Sequence, residues 1–329
     1  MNWRVTAAVS ILAVLAGLMT PPAASAAAPL SFAVFGDTPY DDAYPDAETR
    51  SYLAMLAEIS LSNARFVVHV GDFKHGATWC SDALFEQRHA EFSMSALPFI
   101  FVFGDNEWTD CWRSLGNPLA RLAKLRSLFA AGGESLGRTR IALARQSQSS
   151  IHPAYASYRE NVWWADGNIL FAGLNVPGSN NNLGRMPDEY RARNAANLAW
   201  LSEVFEIART RAFGALFIFM QADPFARRAT PNGYAELLDA LRAHVSGYAG
   251  LVALVHGDSH RCRIDYPLWD AVGLRYFPNF RRIETFGSPR VNWLRVTLDT
   301  DTEEPGLTVT PGRLDDTCCR GGPEAGPCS

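Results

Sequence analysis

The sequence predicts an α/β protein built on two β-sheets, and three patterns carry that prediction. Five short apolar runs of the buried-strand type each end in a polar cluster. Helical periodicities fall between them. An Asp166-Gly167 turn between extended segments, with further strand-like runs late in the chain, marks a second, antiparallel element.

In chain order, the sequence opens on Met1-Asn-Trp-Arg4, a short positive region, followed by an apolar run from Val5 to Met19. Pro21-Pro22 breaks that run before Ala24-Ser25-Ala26, a small-x-small cleavage signal, so residues 1–26 read as a secretory signal peptide. The run is short for a bilayer span, and no later stretch is long and apolar enough to cross a membrane. The expectation is a secreted or periplasmic protein without a transmembrane segment. Five strand candidates follow: Phe32–Phe35, Phe66–Val70, Phe99–Phe103, Ala215–Met220 and Leu251–Val255. Helices are expected over Thr49–Leu61, over Pro118–Phe129 behind an Asn117 cap, and over Pro187–Ala208. The hairpin joins Asn161–Ala165 to Asn168–Asn175, and Arg282–Phe286 and Val291–Leu298 read as later strands. Residues 131–160 read as a surface insertion. Residues 27–300 read as one domain, and 301–329, rich in Pro, Gly, Asp and Cys, as an irregular tail.

The 329 residues carry 30 basic against 34 acidic side chains, a net charge of −4, with 48% hydrophobic residues. That composition excludes disorder, collagen and a nucleic-acid binder relying on bulk positive charge. The cysteine count is six, Cys80, Cys111, Cys262, Cys318, Cys319 and Cys328, and an even number in an exported chain suggests disulfides. Cys80 and Cys111 each follow a Gly-Asp loop, so a bridge would tie those loops together. Adjacent Cys318 and Cys319 are expected to bond elsewhere rather than to each other.

The strand ends carry the chemistry. Gly36-Asp37, Gly71-Asp72, Gly104-Asp105-Asn106-Glu107 and Gly257-Asp258-Ser-His260 each follow an apolar run. One Gly-Asp is an ordinary turn; four at strand ends are a pattern, because ligands of α/β sheets bind outside the carboxyl ends of the strands. Asp37, Asp72, Asp105 and Asp258 then converge on one rim, where their mutual repulsion calls for a cation.

These motifs, with Gln221 after the fourth run, resemble those of the calcineurin-like metallophosphoesterases in order, strand context and spacing over roughly residues 31–300. The resemblance implies a four-layer α/β/β/α sandwich with two mixed β-sheets, two divalent metals and phosphoester hydrolysis by metal-activated water. By the same resemblance Asp37, Asp72 and His260 hold one metal, and Asp72, Asp105, Gln221 and Asp258 the second.

The departures from the family pattern share a direction. Pro39 stands in place of the first-motif His, with Tyr40 beside it; Asp105 replaces an Asn, Asn106 a His that assists the reaction, and Gln221 and Asp258 two further His. Oxygen donors for imidazoles favour Mg²⁺, Mn²⁺ or Ca²⁺ over Zn²⁺ or Fe. With Asn106 unable to act as an acid, His75 and His256 are the candidates for protonating the leaving group. His69, mid-strand, reads as a hydrogen-bonded core residue, and His89 and His152 as surface. Asn175 and Asn180–Asn182 lie on a candidate rim loop, Trp108, Asp110 and Trp112 extend the third motif, and Arg281-Arg282 are candidate phosphate contacts. The expected partner is a small-molecule phosphoester substrate. The alternative is a phosphoesterase-fold metal- or ligand-binding protein without turnover.

Overall fold

The computed structural model describes residues 1, 29–40, 45–226, 230–299, 306–313 and 316–322. The signal-peptide segment and Cys328 therefore lie outside the described residues. The first sheet contains β1 (Leu30–Phe35), β2 (Val67–His69) and β3 (Phe99–Phe101) in parallel. The second contains the edge strand β4 (Ala144–Arg145), the hairpin β5 (Val162–Asp166) and β6 (Ile169–Gly173), then β7 (Ala215–Phe219) and β8 (Leu251–His256). It continues through β9 (Arg263–Asp265), while β10 (Trp269–Asp270) and β11 (Arg275–Tyr276) pair on their own. β12 (Phe280–Glu284) returns to the second sheet; β13 (Leu294–Asp299) and β14 (Gly306–Pro311) extend the first; β15 (Cys319–Arg320) closes the second. The strand orders are β14-β13-β1-β2-β3 and β15-β9-β12-β8-β7-β6-β5-β4. Both sheets mix parallel and antiparallel pairs.

The helices are α1 (Pro45–Ser60), α2 (Asp82–Ser93), α3 (Pro118–Phe129), α4 (Pro187–Thr210) and α5 (Ala235–Ser246). Three apolar layers explain their placement. Phe32, Phe66, Val68, Phe171, Phe217 and Phe219 interleave between the sheets. Phe35, Tyr52, Met55, Phe92, Leu125 and Phe129 pack α1–α3 on the outer face of the first sheet. Leu216, Ile218, Trp200, Leu201, Leu237 and Leu241 pack α4 and α5 on the outer face of the second. Strands buried on both faces have no polar side to show, which is why their sequence reads as continuous apolar runs. The result is the expected four-layer α/β/β/α sandwich.

Three expectations need correction. The tail is not irregular: β14 extends the first sheet beside β13, and β15 pairs with β9. The alternation Leu307-Thr-Val309-Thr matches a half-buried strand, with Val309 in the core between the sheets. Residues 131–160 are more than a surface insertion, since they include β4 and bury Leu143, Arg145 and Gln146. Helices α2 and α5 went unseen because α2 has little amphipathic contrast and α5 follows a Pro-Asn-Gly stretch that reads as loop. Cys80 is bonded to Cys111 and Cys262 to Cys318. Cys319 is likewise disulfide-bonded. No described helix is long and apolar enough to cross a membrane.

Candidate metal centre

The carboxyl ends of β1, β2, β3, β7 and β8 bring the strand-end motifs of both sheets together. The closeness shows in what the glycines exclude. A Cβ on Gly104 would overlap Asp72 Oδ1, and one on Gly257 would overlap Asp37 Oδ2. Gly104 and Gly257 therefore each make room for the aspartate of another motif. Asp37, Asp72, Asp258 and His260 all take left-handed backbone conformations, with φ of 52°, 61°, 76° and 60°. Non-glycine residues hold such conformations only where the surroundings impose them, and such positions cluster at functional sites.

Hydrogen bonds knit the motifs into one cluster. The Asp258 N–H donates to both Asp37 oxygens, at 3.0 and 3.1 Å. The Asp223 N–H donates to Asp258 Oδ2 at 3.0 Å. Asp72 accepts from the Asn106 N–H at 3.0 Å, from Gln221 Nε2 at 3.2 Å and from the Tyr40 hydroxyl at 3.2 Å. Asn106 Nδ2 donates to the same hydroxyl at 2.9 Å, so the amide positions Tyr40. Ser179 Oγ donates to Asp105 at 2.8 Å and to Asp110 at 3.0 Å. His260 Nδ1 donates to the Ser288 carbonyl at 2.8 Å, which turns Nε2 to within 3.5 Å of Asp37 Oδ1 and 3.4 Å of the Tyr40 oxygen. That arrangement leaves the Nε2 lone pair available to a metal when the ring is neutral.

Electrostatics agree. Burial pushes the Asp72 carboxyl well above its usual range, with Asp105, Glu107 and Asp37 adding repulsion. Burial raises Asp258 to about 8, helped by Asp105, and raises Asp105 to about 6, helped by Asp110. Burial alone would lower His260, but the Asp37 carboxylate more than offsets it and holds the imidazole at about 9. Lys74 is buried beside the cluster, its Nζ donating to the His75 and Asn106 carbonyls and its charge drawing Glu107 and Asp110 down, so four carboxylates face it and His260. A Cβ on Gly178 would lie 2.8 Å from Asp105 Oδ2 and 2.9 Å from Asp258 Oδ1, so these two oxygens share one small cradle. An oxygen-rich, unbalanced cluster of this kind fits hard divalent cations.

Asp37, Asp72, Asp105, Asp258 and His260 are thus brought together, while Gln221 and His256 carry bonds that the sequence did not announce and His75 stands exposed. Gln221 sits in the cluster, but its Oε1 accepts the Gly178 N–H and its Nε2 donates to Asp72. Gln221 thus braces Gly178 and Asp72, and its amide oxygen keeps a second lone pair that a metal could use. His256 is fully buried, its Nδ1 donating to the Gly257 carbonyl and its Nε2 lying 3.8 Å from Asp223. A leaving-group acid must meet substrate, which such burial prevents. His75 is exposed, with its ring 5.6 Å from the Tyr40 ring, and its Nδ1 accepts the Ala77 N–H.

His69 is the core residue expected, and it also does more. Its Nε2 donates to the Thr38 carbonyl and its Nδ1 accepts the Gly71 N–H, tying the first two motif loops together. Burial lowers it to about 3, so it stays neutral. Asn181 and Asn182 are buried and bonded to Gly233, Arg193 and Glu189 in a left-handed turn, which makes them structural. Asn175 is buried too, with Nδ2 donating to Glu160. Arg282 is buried against Asp265, and Arg281 stacks over Tyr266, so neither is a phosphate contact. Sequence reasoning missed Ser179, Glu48 and Glu107. Glu107 accepts the Gly104 and Asp72 N–H groups, and Glu48 accepts from Thr38, Tyr40 and Ser288. The Glu107 role was visible only as the fourth residue of its Gly-Asp-Asn-Glu motif.

No family model matches the sequence, and no curated protein matches it. Solved structures do. A PhoD structure aligns at a TM-score of 0.53 and 10% identity, over 91% of this chain and 74% of PhoD. Purple acid phosphatase PPD1 from yellow lupin (Lupinus luteus) seeds aligns at 0.52 and 11%, over 90% of this chain and 55% of its own. A dimetal phosphatase from Danio rerio aligns at 0.49 and 14%, over 84% and 98%. Over nearly its whole described length, this chain has a metallophosphoesterase-like fold.

Proposed function

We propose that the protein is an exported, metal-dependent phosphoesterase that hydrolyses a phosphomonoester or phosphodiester. One observation carries the reading: four carboxylates from both sheets gathered at one rim, with the His260 imidazole beside Asp37 and the buried Lys74 nearby to oppose their charge. Asp37, Asp72 and His260 would hold one divalent ion, and Asp72, Asp105 and Asp258 a second. When bound, such a pair supplies charge for the phosphate oxygens and lowers the pKa of water. The oxygen-rich donor set favours Mg²⁺, Mn²⁺ or Ca²⁺. Tyr40, a phenol that burial keeps protonated, accepts from Asn106 and donates its one proton to Asp72, so it positions the Asp72 carboxylate. His75, whose Nδ1 accepts from Ala77, keeps its proton on Nε2 and is the exposed candidate for the leaving-group acid. The disulfides fit an oxidising compartment.

The test is metal analysis of the purified protein, coupled to turnover of phosphomono- and diesters with each cation, beside Asp72→Asn. We expect turnover to fall at least about a thousandfold in the variant, since Asp72 serves both ions. Unchanged turnover in Asp72→Asn, or stoichiometric zinc or iron, would remove the assigned centre or its metal preference. The replacement of the reaction-assisting His by Asn106 favours a second reading, metal or ligand binding without turnover. A metal-dependent rise in melting temperature with no hydrolysis would select it.

A further inference from the structure

Beside the metal centre lies a cavity of about 420 Å³ lined by His260, Gly287, Ser288 and Pro289 on one side and Thr317 and Cys319 on the other. Arg261, Arg263 and Arg290 complete it. The cavity shares His260 and Gly287 with the carboxylate cluster, since a Cβ on Gly287 would lie 2.6 Å from His260 Cγ and 2.7 Å from Asp37 Cβ. Its far wall exists because the Cys262–Cys318 disulfide pins the C-terminal segment against the loop that carries His260. The hydrogen bond from the Cys319 N–H to the Cys262 carbonyl, at 3.0 Å, reinforces the pin.

The three arginines differ in what they already hold. Arg263 is spent on Asp223 and Glu284. Arg261 and Arg290 are exposed, and among the described residues neither guanidinium has a carboxylate partner. Several other arginines among the described residues are paired with carboxylates, including Arg65, Arg88, Arg121, Arg126, Arg193 and Arg282. Two unneutralised guanidiniums around a cavity that opens beside a phosphoester centre make an anion site, because the planar fork of Arg suits phosphate and carboxylate.

We infer that this cavity is a second-anion subsite, and that the substrate is a phosphoester carrying another phosphate or carboxylate beyond the scissile group, recognised by Arg261 and Arg290. The inference rests on the proposed phosphoesterase reading for its first anchor. The tail then acts as a specificity wall, which accounts for its covalent attachment through Cys318 to Cys262, next to the loop that carries His260.

The experiment compares propane-1,3-diyl bisphosphate with propyl phosphate at one fixed free-metal concentration, by calorimetric binding and by turnover. The proteins are wild type and R261A/R290A, whose exposed side chains can be removed without opening the core. We expect wild type to bind the bisphosphate at least about tenfold more tightly, and the double variant to lose that preference while propyl phosphate is unaffected. R261K/R290K should restore part of it. Equal affinity of wild type for both ligands, or equal losses for both in the double variant, overturns the subsite. Arginine-dependent binding of the bisphosphate without turnover of either ligand keeps the subsite and overturns the hydrolase reading instead.

Discussion

Two clusters of acidic side chains lie a few residues apart in this protein and solve the same electrostatic problem in opposite ways. In the first, Asp37, Asp72, Asp105 and Asp258 meet at the strand ends, with His260 beside Asp37 and Lys74 buried nearby for positive charge. In the second, directly behind it, Asp223, Glu284 and Asp265 are buried with Arg263 and Arg282. Arg263 bonds Asp223 and Glu284 together, while Arg282 bonds Asp265 and lies 3.5 Å from Asp223. Asp223, His256 and Glu284 present donor atoms within 4.8 Å of one another, spacing that would suit a metal. The guanidiniums already fill that role, however, and Asp223 is held below the usual carboxylate range: burial opposes this, but His256, Arg282 and Arg263 prevail. Proximity of carboxylates therefore does not identify a metal centre. What separates the two clusters is counter-charge: guanidiniums bond directly to the carboxylates of the second, whereas the first has His260 beside Asp37 and a Lys74 that donates to nearby carbonyls.

The sharpest way to break that distinction is Arg263→Met. It would leave Asp223 and Glu284 buried without their shared partner, and breaking such a pair costs about 3–5 kcal/mol. Denaturant unfolding of the variant should show a loss of that order. A loss below about 1 kcal/mol would mean that the second cluster is not balanced by Arg263 and that the contrast with the first is wrong. The two clusters also touch, because the Asp223 N–H holds Asp258 Oδ2. Metal affinity of this variant should therefore fall along with stability.

Ser179→Ala probes the unbalanced cluster with a smaller expected effect. The hydroxyl bridges Asp105 and Asp110, and it sits on a left-handed turn, with φ of 50° at Ser179, that only this loop imposes. Losing a hydrogen bond to a metal-ligating carboxylate typically costs about 10–100-fold in metal affinity. We expect about tenfold, read by calorimetric titration with Mn²⁺, with denaturant stability little changed. Unaltered affinity would show that Asp105 needs no orientation from the Ser179 loop, or that it does not ligate.

How much of this was legible in the sequence follows from the same contrast. Local signals were enough for the strands, since apolar runs closed by Gly-Asp state both burial and the position of the strand end. The four aspartates and His260 were therefore found. Ser179 was not, because its partner Asp105 lies 74 residues away, and Glu48 was not, because no motif marks it even though Thr38 and Tyr40 are near in sequence and Ser288 is 240 residues on. Gln221 and His256 were placed correctly at their strand ends, but the bonds they make there were not foreseen. A strand-end position fixes neighbourhood, whereas which atom of the side chain is already bonded depends on long-range partners such as the Gly178 N–H. Strand β14 was missed for a related reason: its alternation is only six residues long, and it becomes a strand through the adjacent β13 edge.

The smallest effect tests charge balance directly. Unfolded aspartate titrates near about 3.9. Folded Asp105 and Asp258, raised by burial to about 6 and about 8, keep their protons long after the unfolded chain has lost them. Because the unfolded state then binds fewer protons, stability of the metal-free protein must fall as pH rises through this interval. His260, raised to about 9, adds to the same trend, since the stability its proton brings below about 6.5 is lost on the way to that value. His69 acts oppositely but below about 6.5, where the unfolded chain takes up a proton that the folded site refuses, so the interval from pH 6.5 to 8 is largely clear of it. In chelator, the wild-type melting temperature should drop by a few degrees over that interval, and Asp258→Asn should flatten the slope and melt higher at pH 8. Added Mn²⁺ should reverse the slope in wild type, because a cation replaces protons most readily where they are already leaving. A metal-free slope that is flat in wild type and unchanged in Asp258→Asn would mean that these carboxylates do not strain one another, and the first cluster would then need no cation.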